Sequence, residues 1–348
     1  MKYEPDLIKY QNKPWVENLV LFLFCFAILF GPAYALFDSY NYDTIANPDL
    51  KTYLGLANFD FDQSPIRKYR VIIPFLASGV NYVLGPVFSG IAPQSFPGPD
   101  FSMCMSFLIV NCIFMSVFGM LVYHLCRESG ASHLAAIIGL LSVLTCRWTS
   151  YYAGLPGVDS LYLLVAAITL LGIKIKNSKL IVLAIFIGPW AKESFIFIAP
   201  LLFFFASLNK WKQLILFAVS GILVFSFRYY LDIYSHATFG LGLKNDLAHL
   251  DNIAVSLKLL FSFKGIYEII SVFGVWGLLF VFLLNRKIRL ALKQKTPLFL
   301  LVFLFIVLIH VILSSDIARM LYIATPVFAI WFSTITDKII PVKSQKIH

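Results

Sequence analysis

The chain has 348 residues, of which 59% are hydrophobic, 13% charged and 34 are Phe. A water-soluble protein carries roughly 25% charged residues, so too little polar surface exists here to cover a soluble body, and an integral membrane protein is implied. A disordered chain, a disulfide-built secreted scaffold and a nucleic-acid binder are excluded by the same numbers, and the net charge of +10 is read as orientation across a bilayer.

A membrane span needs about 20 mostly apolar residues. In chain order such runs fall near 16–37, 101–125, 131–148, 158–173, 179–191, 194–208, 212–229, 266–284, 297–313 and 318–334. The predicted fold is therefore all-α and polytopic, a single membrane domain of about ten transmembrane helices with no soluble domain longer than a loop. Residues 19–30, followed by Ala33-Tyr34-Ala35, have the form of a signal-peptide core and cleavage site, but are taken as a retained first span. The stretch 71–94 is broken by Pro74, Gly79, Gly85, Pro86, Gly90 and Pro93, and three placements are open to it: spanning, re-entrant or interfacial.

Charge asymmetry chooses between the topologies. If 71–94 does not cross and the N-terminus is cytoplasmic, most of the 28 Lys and Arg residues lie inside, including those of the short basic loops 174–179 and 286–295. That is the positive-inside arrangement. It predicts an inner (cytoplasmic) membrane protein with both termini cytoplasmic and a long first outer loop, 38–100, carrying short interfacial helices.

Ionisable residues then sort to the outer side. Charges at membrane depth cost several kcal/mol unless paired or hydrated, so several at one depth point to a shared polar cavity. In the first loop, Asp49 and Tyr53 are four residues apart and share a helix face, although Asp49 after Asn47-Pro48 also has the makings of a helix cap. The cluster Arg67-Lys68-Tyr69-Arg70 runs into apolar sequence on the side where cations are disfavoured. Such cations want an anion, and a lipid phosphate is the local one; simple snorkelling to headgroups is the alternative.

Lys192 and Glu193 break a long apolar run, either as a mutual ion pair or as separate groups on a cavity floor. Asp159 opens a span, where the helix dipole alone favours an acid. Asp316 with Arg319, and Arg228 with Asp232, have the spacing of intrahelical pairs. The five Cys residues form no C-x-x-C motif and read as small buried apolar groups. No G-x-x-x-x-G-K-[ST] phosphate loop is present.

Taken in order, D-x-x-x-Y-L-x-L-A (49–57), R-V-I-I-P (70–74), G-x-D-S (157–160) and K-E-S (192–194) resemble the bacterial polytopic glycosyltransferases of the GT-C superfamily. The chain departs from that pattern in having no acidic pair in the first loop other than Asp60-Phe-Asp62 and no large C-terminal outer domain. The resemblance implies transfer of a sugar from a polyprenyl-phosphate donor to a lipid or glycan acceptor on the extracytoplasmic face, served by an acidic residue of the first outer loop. That residue falls on Asp49, with Asp38 and Asp43 as competitors.

On this reading Asp49 is the general base of an inverting transfer, and Arg70 and Lys192 stabilise the phosphate. Asp159 and Glu193 position the acceptor or a metal, and Tyr53 and Arg319 complete the substrate site. The cofactor is left open, with a divalent metal neither required nor excluded, and no nucleic acid partner is expected. Three other readings remain: a lipid-linked sugar flippase or secondary transporter, an outer-face polysaccharide polymerase with its large outer loops late in the chain (230–265), and a non-catalytic scaffold.

Overall fold

The structure, a computed structural model, describes residues 14–42, 47–63, 67–235, 252–314 and 316–340. Among them there are helices and turns and no strand. Helix is the form that satisfies a backbone from within its own segment where water is absent. The first N–H groups of each helix still need acceptors, and the sequence supplies them. Side chains of Asn47, Asp100, Ser132, Asn177, Asn209, Ser262, Asn285 and Asp316 each accept from a backbone N–H at a helix start.

The elements are α1 (Pro14–Ser39), α2 (Pro48–Ala57), a 3-10 turn (Arg67–Tyr69), α3 (Ile72–Gly90), α4 (Phe101–Glu128), α5 (His133–Leu144), α6 (Arg147–Gly154), α7 (Asp159–Lys174) and α8 (Ser178–Ala191). A 3-10 turn (Glu193–Phe197) leads into α9 (Ala199–Phe205), then α10 (Lys210–Tyr234), α11 (Asn252–Leu260) and α12 (Phe263–Phe273), which continues as 3-10 helix to Leu284. The chain closes with α13 (Arg286–Lys295), α14 (Leu298–Ser314), α15 (Ile317–Leu321) and α16 (Thr325–Ile339).

Among the described residues, six helices are long and apolar enough to cross a membrane, with α15 and α16 counted as one continuous helix over Ile317–Ile339, or up to eight if two bent pairs, α5 with α6 and α13 with α14, each count as one span. One of the six, Ile72–Gly90, lies within 38–100, where a loop with only short interfacial helices is expected. The other five coincide with five of the ten expected runs, or seven with the bent pairs, and three runs give no such helix. The reason is length: the runs at 179–191 and 194–208 form a 14-residue helix and a 3-10 turn with a seven-residue helix. The run at 158–173 becomes α7, whose 16 residues rise about 24 Å against a hydrocarbon core of about 30 Å.

The stretch 71–94 is not broken by its prolines and glycines. Pro74 lies in the first turn of α3, where no N–H is needed, and the helix runs on through Gly79, Gly85 and Pro86 for 19 residues, long enough to cross. Its two ends nevertheless lead to neighbouring elements. Arg70, just before it, donates to Tyr53 of α2, and Phe96, just after it, stacks on Phe37 at the end of α1 with ring centroids 5.1 Å apart.

Helices α4 and α7 form the centre. Every residue of α7 from Asp159 to Ile173 is buried, and α4 packs against α1, α3, α5 and α7. Without a hydrophobic drive between helices in lipid, close approach at small residues holds such a bundle. A Cβ at Gly154 of α6 would stand 2.5 Å from the Ala33 carbonyl oxygen of α1, and one at Gly139 of α5 would stand 2.7 Å from that of Ala329 in α16. The five cysteines are free and buried. Exposed apolar side chains, among them Leu19, Leu23, Ile215, Ile222 and Leu278, make the perimeter a surface suited to lipid.

Candidate functional site

Three carboxylates and five cations from six segments meet at one place. Each arrives there by a local cause. Asn47, not Asp49, caps α2 by accepting from the Leu50 N–H, which leaves the Asp49 side chain free to face the segment 67–70. The four-residue spacing on α2 then takes effect: Asp49 pairs with Arg67, and Tyr53 accepts from Arg70 Nη1 at 2.9 Å.

Asp159 is presented by the turn before α7. Buried Asn111 on α4 donates to the Leu155 and Gly157 carbonyls at 3.0 and 3.3 Å, and Ser160 Oγ donates to Asn111 Oδ1 at 2.5 Å. The turn is thereby fixed to the centre of the bundle, with Asp159 in the first turn of α7. Arg319 is set by two backbone contacts: its N–H donates to Asp316 Oδ1 at 3.3 Å, and its carbonyl accepts from Tyr152 Oη at 2.7 Å.

The guanidinium of Arg319 joins the two acids. It donates through Nη2 to Asp159 Oδ2 and through Nη1 to Asp49 Oδ2, the latter at 3.3 Å. Lys192 Nζ donates to the other Asp159 oxygen at 3.0 Å. Glu193 accepts from Arg70 through Nη2 at 2.8 Å and Nε at 3.1 Å, with Arg228 Nη2 at 3.8 Å from its other oxygen. Asp316 and Arg319 therefore do not exhaust each other, Arg228 does not pair with Asp232, and Lys192 and Glu193 do not neutralise each other.

Among the groups outside the candidate spans, burial pushes the Tyr53 phenol up to about 12. It stays protonated, a neutral acceptor for Arg70. Burial works to lower the Arg70 pKa, but Tyr53 and Glu193 beside it more than offset this and raise it above the ordinary arginine value.

A cavity of about 920 Å³ opens on this network. Its wall includes the ion network, through Asp49, Arg67, Arg70, Lys192, Glu193, Arg228 and Arg319, together with Ser194, His310, Ser314 and Asp316, and its apolar lining is formed by Phe195 and Phe197, by Phe217, Val224 and Phe225 of α10 and by Leu313 of α14. A second cavity, of about 20 Å³, is lined by Tyr53, Tyr151, Tyr152 and Asp159, and the two share Asp49 and Arg319.

Of the nine residues the sequence singles out, Asp49, Tyr53, Arg70, Asp159, Lys192, Glu193 and Arg319 come together. Asp38 does not: it is exposed in the last turn of α1 and lines neither cavity. Asp43 lies outside the described residues. Sequence reasoning missed Arg228 as a partner of Glu193, and missed His310, a cavity residue whose Nε2 is 2.8 Å from Tyr162 Oη and whose Nδ1 is 2.8 Å from the Ile306 carbonyl. A lone histidine inside the apolar run of α14 was the available signal.

The remaining pair flagged by spacing is resolved differently. Asp232 accepts from Lys68 at 2.6 Å and from Tyr69 Oη at 2.8 Å, which ties the 67–69 turn to the end of α10. Among the described residues, no group of three or more His, Cys, Asp or Glu stands ready to hold a metal ion. Comparison with protein-family models, with curated proteins and with solved structures gives no match.

Proposed function

We propose that the protein is a membrane glycosyltransferase that moves a sugar from a polyprenyl-phosphate donor to a lipid or glycan acceptor on the extracytoplasmic face of the cytoplasmic membrane. The observation that carries the reading is the cavity of about 920 Å³ lined both by clustered cations and carboxylates and by four Phe side chains. A phosphate on an apolar chain matches both kinds of lining: charge-assisted hydrogen bonds at the head and apolar burial along the tail.

The chemistry asks little more of the chain. The acceptor hydroxyl oxygen attacks the anomeric carbon as the bond from that carbon to the phosphate oxygen breaks, and the electron pair leaves with the polyprenyl phosphate. The hydroxyl proton passes to a carboxylate within hydrogen-bond reach. Asp49 suits that role because it lies in the wall of the large cavity, where a bound donor and acceptor would meet. The cations around it stabilise the charge developing on the departing phosphate. Tyr53 and Glu193 hold Arg70, and Asp159 holds Lys192 and Arg319, so the charged groups are set before substrate arrives.

The test is transfer by the purified protein in vesicles, with a panel of polyprenyl-phosphate sugars and candidate acceptors, followed by release of the carrier phosphate. Release with one donor and one acceptor supports the enzyme. No release with any donor, together with movement of a labelled donor between the leaflets, supports a flippase instead.

A further inference from the structure

The cations of the site are not equally committed, and the difference selects those that receive the ligand. Arg70 uses Nε, Nη1 and Nη2 on Glu193 and Tyr53, and Lys192 is bonded to Asp159. Among the described residues, four atoms on cavity residues are buried with no hydrogen-bond partner: the acceptor Asp49 Oδ1, which is ion-paired with Arg67, and three donors, Ser194 Oγ, Arg228 Nε and Arg319 Nε. Orphaned buried donors are rare in native proteins and ask for an explanation. Here all three belong to one cavity wall, and all three can donate.

Charge points the same way. Arg67, Arg70, Lys192, Arg228 and Arg319 are shared among Asp49, Asp159 and Glu193, which leaves positive charge in excess even when Asp316 in the same wall is counted. The link from Arg228 to Glu193, at 3.8 Å, is the longest in the network. We propose that Ser194, Arg228 and Arg319 form the seat of a phosphate, receiving its non-bridging oxygens, and that Arg70 and Lys192 are positioning residues held by their own carboxylates. The seat rests on the phosphate-lipid reading above for the tail of its ligand, and reassigns which side chains hold the head.

The experiment is binding of farnesyl phosphate, and separately of inorganic phosphate, to the purified full chain in detergent, followed by 31P NMR and by titration calorimetry. Wild type is expected to bind farnesyl phosphate much more tightly than inorganic phosphate, because only the former fills the Phe-lined part. Ser194→Ala and Arg228→Gln are each expected to weaken it about tenfold or more. Arg228→Lys preserves the charge opposite Glu193 but lacks the Nε–H, so a structural role predicts full recovery and the proposed seat predicts only partial recovery.

Unchanged affinity in Ser194→Ala and Arg228→Gln, full recovery in Arg228→Lys, or no binding of either phosphate to wild type overturns the seat. Equal affinity for the two phosphates overturns its assignment to a lipid headgroup. Binding of farnesyl phosphate with the expected losses, in a protein that transfers no sugar, leaves the seat standing and removes the transferase reading.

Discussion

Lys192 and Glu193 are neighbours in the chain and serve opposite sides of the site. Lys192 is extended, with φ −166 and ψ 145, and in extended backbone successive side chains point to opposite faces. Lys192 accordingly reaches Asp159 of α7, while Glu193 reaches Arg70 before α3. The break at Lys192, between α8 and the 3-10 turn that Glu193 opens, thus connects two parts of the ion network. Exchanging the residues, Lys192→Glu with Glu193→Lys, keeps composition and local charge, and would be neutral for a mutual pair. Here it places Glu against Asp159 and Lys against Arg70, and the thermal unfolding temperature in detergent should fall sharply. A wild-type value would mean that the two residues pair with each other.

The Arg70–Glu193 contact should behave as a partly buried ion pair. Removing one partner strands the other charge, at a cost of about 3 kcal/mol, whereas replacing both by apolar side chains of similar volume is often neutral. Glu193→Met alone should therefore destabilise the protein by about that amount, and Arg70→Met with Glu193→Met should recover most of it, as read from a double-mutant cycle of unfolding free energies. Additive losses would remove the pair as a unit.

Asp49→Asn separates catalysis from architecture. Arg67 and Arg319 sit on separate Asp49 oxygens, so the amide keeps an acceptor for one of them, and it cannot take a proton from an acceptor hydroxyl. Transfer in the vesicle assay should drop by about 10²–10⁴, while the elution volume stays near that of wild type and the unfolding temperature falls only modestly, because Arg319 keeps Asp159 and Arg67 is partly exposed. Full activity would move the base to another carboxylate.

Much of this arrangement is legible in the sequence because charge in apolar surroundings is costly, and the cost singles out residues one at a time. Asp49, Arg70, Asp159, Lys192, Glu193 and Arg319 all announce themselves in this way. Their pairing is another matter. Intrahelical spacing suggests Arg228 with Asp232 and Asp316 with Arg319, yet Arg228 meets Glu193 and Arg319 meets Asp49 and Asp159. Contacts between segments more than 100 residues apart, such as Asp159 with Arg319, have no local signature. The span count fails for a related reason. Apolar runs mark what is buried, and α7 is buried by protein on all sides, so its composition reads as a span although its length falls short of one.

Close packing at Gly154 gives a prediction that does not depend on function. The Ala33 carbonyl leaves no room for a Cβ there, so Gly154→Ala must push α6 away from α1. Overpacking of this kind costs about 1–3 kcal/mol, measurable as a lower unfolding temperature in detergent. Gly79, with nothing within 4 Å of a built Cβ, is the matched control: Gly79→Ala in the helical α3 should be neutral or slightly stabilising.

Sidedness is the premise on which an extracytoplasmic site depends, and the buried cysteines make it measurable. All five native thiols are enclosed, so a membrane-impermeant maleimide should find only an introduced one. Lys51 on α2 and Ser178 at the start of α8 are both exposed, the first beside the site and the second in the basic turn 174–179. Lys51→Cys should label in intact cells, and Ser178→Cys only after permeabilisation. The reverse pattern would put the ion network on the cytoplasmic side, where nucleotide-activated sugars are at hand and a lipid-carried donor is no longer the natural supply.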